Sequence, residues 1–200
     1  MLDLVEAPLL RLENVTVSAL RNVSLVARPG RVTALTGTGS ETALAVALGL
    51  VRPSRGRVTV GGVPLDELDP SARWTTISWV PQFPVLLAGT IAENVRLGWP
   101  ASDAEVAAAS EVALGDLIGR LPLGLDTVLG EDGAGLSAGE RQRIGLARAF
   151  LRGPAVVVLD EPDDDDRFLD ALRRLAPGRT VLMVAHQPSL LAFADEVITL

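Results

Sequence analysis

The chain has 200 residues, 48% of them hydrophobic and 4% aromatic, which is typical of one folded domain with an aliphatic α/β core and excludes a disordered tail. All 18 basic residues are arginine, so no lysine is available to contact a phosphate, and the formal net charge of −7 disfavours general nucleic-acid binding, which needs a basic face. The absence of cysteine excludes disulfides and thiolate metal sites.

The hydropathy pattern predicts neither a membrane-spanning helix nor a secretory signal. The longest apolar run, residues 43–51, is much shorter than the roughly 20 residues that a spanning helix needs. Residues 1–6 lack the basic start and apolar centre of a signal peptide. A role at a membrane would therefore require a membrane-spanning partner or a further segment.

The first half of the chain predicts several strands and one glycine turn. Residues 12–17 and 22–27 alternate apolar and polar side chains, which favours half-buried strands. The stretch RVTALTGTGSETALAVALGL, residues 31–50, is typical of a buried strand that runs through a glycine turn into a helix, as in a phosphate-binding loop. Further strands are expected at 57–65 and at 77–82 (ISWVPQ).

The second half predicts strand–helix–strand order, which implies a parallel sheet with right-handed crossovers. Two continuous apolar runs, AVVVLDE and TVLMVAH, are typical of strands that are buried on both faces. The predicted elements are, in chain order, a helix at 102–119, a glycine-rich loop at 129–140, a helix at 141–153, a strand at 155–161, a helix at 166–175 and a strand at 180–186.

Chemically useful groups follow three of the predicted strands: Gly37, the pair Asp160 and Glu161, and His186. In a parallel sheet such strand ends share one edge, where ligands bind. Asp160 could hold Mg²⁺, and Glu161 could orient or deprotonate a water molecule. The alternatives are a strand that ends in solvated acids and a histidine that makes only a structural hydrogen bond.

Two further sites have both structural and functional interpretations. In LSAGERQR, Ser137 and Glu140 form the pattern of a capping box, and the same helix start could bind an anion, which the charge of Glu140 would oppose unless it points away. Gln82 ends the expected strand ISWVPQ and could contact a metal-bound water, or it could be an ordinary polar residue after a proline.

Taken together, the order of these motifs resembles the nucleotide-binding domain of ABC transporters over nearly the whole chain. The most specific block is GEDGAGLSAGERQRIGLARAFLRGPAVVVLDEP. The resemblance implies an α/β P-loop NTPase fold over residues 1–200, with a mostly parallel sheet, an antiparallel β subdomain and a helical subdomain at about 84–150. The stretches ISWVPQFPVLLAGTIAENVRLG and GLDTVLGEDGAGLSAGERQR are similar to exporter-type domains, most of all the thiol-reductant (cysteine or glutathione) exporter subunits of cytochrome bd assembly.

The resemblance also implies roles for individual positions. It implies that ATP and Mg²⁺ are the ligands. It implies a second nucleotide-binding domain and a transmembrane domain of an ABC exporter as partners, and no nucleic-acid partner. It also implies that the chain works at the cytoplasmic face of the plasma membrane. The implied nucleotide-binding residues are Gly37, Thr38, Gly39, Ser40, Glu41, Thr42 and Gln82.

The implied signature motif is Leu136, Ser137, Ala138, Gly139 and Glu140. The implied magnesium ligands are Asp160 and Gln82. The resemblance also implies that Glu161 is the catalytic base and that His186 is the catalytic-site residue that senses the γ-phosphate.

The chain departs from the family pattern in three loops. Ser40 stands at the lysine position, Glu41 at the hydroxyl position that binds Mg²⁺, and the loop is about three residues short. The acidic run 163–166 replaces a small-residue turn, and no aromatic residue follows the first strand to stack on adenine. Since losing one preorganised donor costs about 2.7–4 kcal/mol in a phosphoryl transition state, we expect weak ATP binding in an intact fold.

Two functions remain open on these residues. The chain is either an ATP-hydrolysing subunit of an ABC exporter or a non-catalytic domain whose signature motif completes the ATP site of a partner. A small-molecule kinase is disfavoured by the spacing from LSAGERQR to LDEP and by the lack of an acceptor site. The DNA-repair and translation members of the ABC class are disfavoured by the acidic charge balance.

Overall fold

The computed structural model describes residues 7–200, so the expectation that residues 1–6 are not a signal peptide lies outside the described part. The strands are β1 (Leu10–Val17), β2 (Leu20–Ala27), β3 (Val32–Thr36), β4 (Arg55–Val60), β5 (Val63–Pro64), β6 (Ile77–Val80), β7 (Gly89–Thr90), β8 (Val128–Leu129), β9 (Val156–Asp160), β10 (Thr180–Val184) and β11 (Glu196–Thr199). The α-helices are α1 (Ser40–Ala47), α2 (Pro70–Thr76), α3 (Ile91–Arg96), α4 (Asp103–Ile118), α5 (Ala138–Arg152), α6 (Asp166–Leu175) and α7 (Pro188–Phe193). Among the described residues, no helix has both the length and the apolar character needed to cross a bilayer.

The described residues form two compact units. The first contains the chain up to Trp79 together with Pro154–Pro162 and Ala176–Leu200. The second contains Val80–Gly153 and Asp163–Leu175.

The first unit is built around a five-stranded sheet with the order β11-β3-β10-β9-β6. Strand β10 pairs in parallel with both β3 and β9, and Val184 of β10 lies opposite Leu35 on one side and Asp160 on the other. The predicted parallel sheet is therefore confirmed. This register brings the carboxyl ends of the three central strands to the same edge.

A second, antiparallel sheet with the order β2-β1-β4-β5 belongs to the same unit. Leu10 of β1 lies opposite Ala27 of β2 and Val60 of β4. The buried face of α1 and the inner side chains of both sheets form one hydrophobic cluster, which includes Leu44 and Val184. Burial of this cluster holds α1 against the two sheets, because about 25 cal/mol is gained per Å² of apolar surface removed from water.

The second unit is mostly helical. Helices α3, α4 and α5 each begin at a capping box, in which a Ser or Thr side chain and a Glu side chain satisfy each other's backbone N–H groups. The short strands β7 and β8 pair in antiparallel fashion beside them. Arg143 of α5 is buried and forms an ion pair with Asp116 of α4 at 2.5 Å.

Several boundaries differ from those predicted from the sequence. Helix α1 begins at Ser40, directly after the glycine turn, and the N–H groups of Ser40 and Ala43 donate back to Gly37 and Gly39. Strand β6 ends at Val80, so Gln82 lies beyond the strand and does not end it. Pro81, which has no N–H group to donate to a neighbouring strand, explains this end. The sequence analysis did not predict α2, α3, α7 or β11.

Candidate functional site

The turn between β3 and α1 is a tight glycine turn. Gly37 and Gly39 have φ angles of 88° and 105°, which favour glycine strongly. A Cβ atom at Gly37 would lie 2.6 Å from the carbonyl oxygen of Leu200, and one at Gly39 would lie 2.8 Å from Cδ2 of Leu20. Gly37 therefore requires glycine for steric as well as conformational reasons, whereas at Gly39 the φ angle is the main constraint because the end of the Leu20 side chain can move.

Ser40 does not take the place of a phosphate-binding side chain. It is buried, and its backbone N–H and its Oγ both donate to the carbonyl oxygen of Gly37, at 3.4 and 3.0 Å. The side chains of Thr38 and Glu41 are exposed, and Thr42 is partly buried. The hydroxyl of Ser40 is thus engaged within the turn itself.

These residues do not fit a triphosphate. Three residues separate the end of β3 from the start of α1, which leaves few backbone amides to surround phosphate oxygens. The chain contains no lysine, and Glu41 places a carboxylate in the first turn of α1.

Beside the turn, the ends of β9 and β10 bring Glu161 and His186 together. His186 Nε2 lies 3.7 Å from Glu161 Oε1, and His186 Nδ1 lies 3.4 Å from Thr36 Oγ1. Glu161 has a positive φ of 42°, a conformation that is rare for residues other than glycine. Its N–H donates to the carbonyl oxygen of Val184 at 3.1 Å, and this bond holds the strained backbone in place.

Asp160 has the electrostatic surroundings of a cation ligand. Burial, and then the negative charges of Glu161 and Glu41, raise the pKa of its carboxyl group above the ordinary value of 3.8. A bound cation would relieve all three effects. No group of three or more acidic or histidine side chains in residues 7–200 is arranged to hold a metal by itself. A Mg²⁺ ion at Asp160 would therefore take most of its ligands from water, as it commonly does.

In the second unit, the signature residues form the start of helix α5. Ser137 is the N-cap, and its Oγ accepts a hydrogen bond from the Glu140 N–H at 3.1 Å. The Glu140 carboxylate accepts from the Ser137 N–H and from Arg120 Nη2, both at 2.8 Å. Burial opposes ionisation of Glu140, but these bonds outweigh it and lower its pKa. The charge of Glu140 is therefore compensated, and it does not oppose an anion as strongly as the sequence suggested.

The run Asp163–Asp166 is more ordered than the solvated loop that four like charges predict. Asp163 N–H donates to Gln142 Oε1 at 2.6 Å, and Asp165 Oδ1 accepts from the Phe168 N–H at 2.6 Å at the start of α6. Asp163 Oδ2 packs against Gly139 so closely that a Cβ atom there would overlap it. A carboxylate therefore lies next to the first turn of α5.

Two further polar residues of the second unit are Gln82 and Gln142. Gln82 is partly buried in the segment after β6. Gln142, which the sequence analysis did not single out, is buried and also bonds the carbonyl oxygen of Pro81 through Nε2 at 3.4 Å. In the sequence, Gln142 is distinguished only by its position just after the signature motif. Its bond to the Asp163 N–H joins residues that only the fold brings together.

Comparison with known proteins identifies the family. The profile of the ABC transporter family matches residues 20–164, which is more than half of the chain. The chain is 40% identical over 190 residues to the "Mycobactin import ATP-binding/permease protein IrtB" of Mycolicibacterium thermoresistibile, covering 90% of this chain and 33% of that protein. It is 38% identical over 192 residues to the "ABC transporter ATM1" of Toxoplasma gondii, covering 90% of this chain and 17% of that protein.

A solved structure shares the fold. It is described as a bacterial Atm1-family ABC exporter with ATP bound, and it superposes with a TM-score of 0.87 at 31% identity, covering 96% of this chain and 37% of that one. The chain thus spans a third or less of the length of the curated relatives named above. The chain belongs to the ABC transporter family.

Proposed function

We propose that residues 1–200 form one nucleotide-binding domain, with a helical subdomain at about 84–150, in an exporter. The domain works at the cytoplasmic face of the plasma membrane, pairs with a second nucleotide-binding domain and moves a membrane-spanning partner. The observation that carries the proposal is the contrast between its two phosphate-binding elements. The start of α5 keeps its full capping box, whereas the β3–α1 turn has lost the lysine and is closed by Ser40.

From this contrast we infer that the chain completes the ATP site of its partner and does not hydrolyse ATP at its own turn. The helix start at Ser137 offers a hydroxyl group and the positive end of the helix dipole, which favour a phosphate. Asp163 lies against the same turn of the helix, so its charge limits this attraction. Replacing Asp163 by Ala should therefore raise the activity that the chain confers on its partner.

The experiment mixes this chain with the second nucleotide-binding domain of the same transporter and measures ATP hydrolysis. We expect Ser137→Arg to remove most of the stimulation that the wild-type chain gives. Ser102→Arg is the matched control, since Ser102 is the N-cap of α4 with the same capping box in the same unit. Hydrolysis that is unchanged by Ser137→Arg would rule out the partner role.

The second candidate is hydrolysis by the chain itself, and the strand ends favour it. Asp160, Glu161 and His186 retain side chains that suit Mg²⁺ binding and activation of water. If this candidate is right, the chain alone hydrolyses Mg·ATP, and Glu161→Gln abolishes that activity while leaving the melting temperature unchanged. The β3–α1 turn is the reason that we rank this candidate second.

For the transported substrate, we propose a thiol reductant, cysteine or glutathione. The proposal rests on the similarity of residues 77–98 and 124–143 to thiol-reductant exporter subunits. The test is uptake of radiolabelled glutathione and cysteine by inverted vesicles that contain the full-length transporter. Mycobactin is the competing substrate to include, because the name of a relative assigns it to that protein. Uptake of mycobactin together with no uptake of either thiol would refute the proposal.

A further inference from the structure

A cleft in the first unit lies at the end of α1 opposite to the glycine turn. It has a volume of about 390 Å³ and is lined by the end of α1, the segment that follows it, strand β4, the region of β5 and helix α2. Val46, Val58 and Leu65 give it buried apolar walls. Arg52, Arg57 and Arg73 also line it, so that arginines and aliphatic side chains share one space.

Arg73 is the residue that makes this cleft unusual. Its guanidinium group is partly buried, and its Nη2 donates to the carbonyl oxygen of Leu65 at 2.8 Å. Its Nε is buried without a hydrogen-bond partner, and no salt bridge within residues 7–200 balances its charge. A charged group that is withdrawn from water in this way is costly unless an anion accompanies it.

The backbone leaves space for this guanidinium group. Gly49 has a φ of 71°, and a Cβ atom there would lie only 2.9 Å from Arg73 Nη1. Glycine is common at this position after a helix, so its φ alone indicates nothing about a ligand. Because Gly49 has no side chain, it leaves room for the Nη1 group of Arg73, while the Nη2 group is held by the carbonyl oxygen of Leu65.

The charge around the cleft is positive although the whole chain is acidic. Three arginines line it against one acid, Asp66, in a chain of net charge −7. Arg52 approaches Asp66 only at 3.9 Å, with both side chains largely exposed, and such a pair contributes little. Arg57 pairs with Glu13 at 2.6 Å. Arg52 and Arg73 are therefore the arginines available to an incoming anion.

We propose that this cleft binds a small organic oxyanion, a phosphate or carboxylate group attached to a short apolar chain. Arg73 binds the oxyanion through its planar fork of N–H donors, which matches the spacing of phosphate and carboxylate oxygens. Arg52 adds charge at the exposed side. The apolar chain packs against Val46, Val58 and Leu65. This site is separate from the β3–α1 turn and does not depend on the proposed function.

The test is calorimetric titration of the chain, without nucleotide, at constant ionic strength. The probes are hexyl phosphate, hexanoate, inorganic phosphate and hexanol. We expect saturable one-to-one binding of hexyl phosphate or hexanoate, whichever oxyanion the arginines prefer. Inorganic phosphate should bind more weakly because it does not contact the apolar walls, and hexanol should not bind because it has no charge.

Variants identify the residues responsible. Arg73→Gln should weaken binding of the preferred probe about tenfold or more, since hydrogen bonds to charged groups are the stronger ones. Arg52→Glu, a change at a fully solvated side chain that leaves folding intact, should weaken it severalfold. Arg31→Glu makes the same two-unit change of charge as Arg52→Glu, at an exposed arginine of the same unit outside the cleft, and should have no effect.

Two results would overturn the proposal. One is the absence of saturable heat for both amphipathic probes up to concentrations on the order of 10 mM, which corresponds to less than about 3 kcal/mol of binding free energy. The other is equal weakening by Arg31→Glu and Arg52→Glu, which change the net charge by the same amount; this would mean that the anions respond to total charge and not to the cleft.

Discussion

At the β3–α1 turn, Ser40 is part of the folded core. It is only 2% exposed, and both of its donors bond the carbonyl oxygen of Gly37. A Cβ atom at Gly37 would overlap the backbone of Leu200. Neither Ser40 nor Gly37 can therefore be replaced by a larger residue without disturbing the turn.

Restoring the lysine should not restore nucleotide binding. Ser40→Lys places a long cationic side chain where the turn is closed, and we expect it to lower the free energy of unfolding by about 2 kcal/mol or more. We expect no gain in affinity for Mg·ATP, because the short loop still lacks the amide donors. Urea denaturation and calorimetry measure the two effects. Thr38→Lys is the control, because it introduces a lysine at an exposed position of the same turn and should leave stability nearly unchanged. A Ser40→Lys variant that is as stable as the wild type and binds Mg·ATP would contradict the prediction.

Asp160 should make stability depend on pH. Its pKa in the folded chain is raised above 3.8 by burial and by the charges of Glu161 and Glu41, so the folded chain keeps the proton at pH values at which the unfolded chain has lost it. Stability therefore decreases as the pH rises through this window, and the ionised Asp160 remains a cost above it.

We accordingly expect Asp160→Asn to be more stable than the wild type at pH 7. The difference should disappear near pH 3, where the carboxyl group is protonated in both the folded and unfolded chains. Denaturation in urea at pH 3, 5 and 7 measures this trend. Glu41→Gln removes one of the charges that raise the pKa of Asp160 and should give a smaller gain in the same direction. Equal stability of Asp160→Asn and the wild type at pH 7 would show that the site does not penalise the charge.

At the scale of elements, helices α4, α5 and α6 are joined by the carboxylate of Asp116. It pairs with Arg143 of α5 at 2.5 Å, with Arg167 of α6 at 3.2 Å and with Arg120, just after α4, at 3.7 Å. Arg143 is 2% exposed, and its Nε already lacks a partner. Removing the carboxylate would leave this arginine buried without its counter-ion, which is the expensive way to break an ion pair.

Asp116→Asn should therefore lower the free energy of unfolding by about 2 kcal/mol. The value is below that of a fully buried pair because Asp116 is 37% exposed. The matched control is Asp170→Asn, which breaks the solvent-exposed pair with Arg173 in the same unit and should cost less than about 1 kcal/mol. Urea denaturation of both variants measures the difference. Similar losses in the two variants would contradict the assigned role of Arg143.

The elements that were predicted from the sequence are those with strong local signals. Strands β9 and β10 are continuous aliphatic runs, and α4 and α5 have capping boxes and long helix-forming stretches, so pattern alone located them. Helices α2, α3 and α7 have 6 or 7 residues, and β11 has four, too short for periodicity to distinguish. The contact of Asp163 with Gly139 and Gln142 links distant parts of the chain, so no local pattern could have predicted it.

At the scale of the whole molecule, the fold tolerates the altered turn. The chain superposes on the ATP-bound exporter with a TM-score of 0.87 at 31% identity, although it contains no lysine and Ser40 closes its β3–α1 turn. The cores of the two units hold the strands and helices in place, whereas the phosphate contacts depend on one short loop. A chain can therefore keep the fold of the family while its ability to bind and hydrolyse nucleotide is lost.

This separation predicts how the whole chain responds to nucleotide. A ligand that binds only the folded state adds RT ln(1 + [L]/Kd) to stability, so a Kd of 1 mM or weaker gives at most about 0.4 kcal/mol at 1 mM ligand. For a chain of this size that corresponds to a shift of the melting temperature of about 1 °C. We expect Mg·ATP at 1 mM to produce no larger shift in differential scanning calorimetry, with Mg²⁺ alone as the control. A Kd near 1 µM would instead add about 4 kcal/mol and raise the melting temperature by roughly 10 °C. A shift of that size would mean that the β3–α1 turn opens to hold a triphosphate, and it would move hydrolysis by this chain ahead of the partner role.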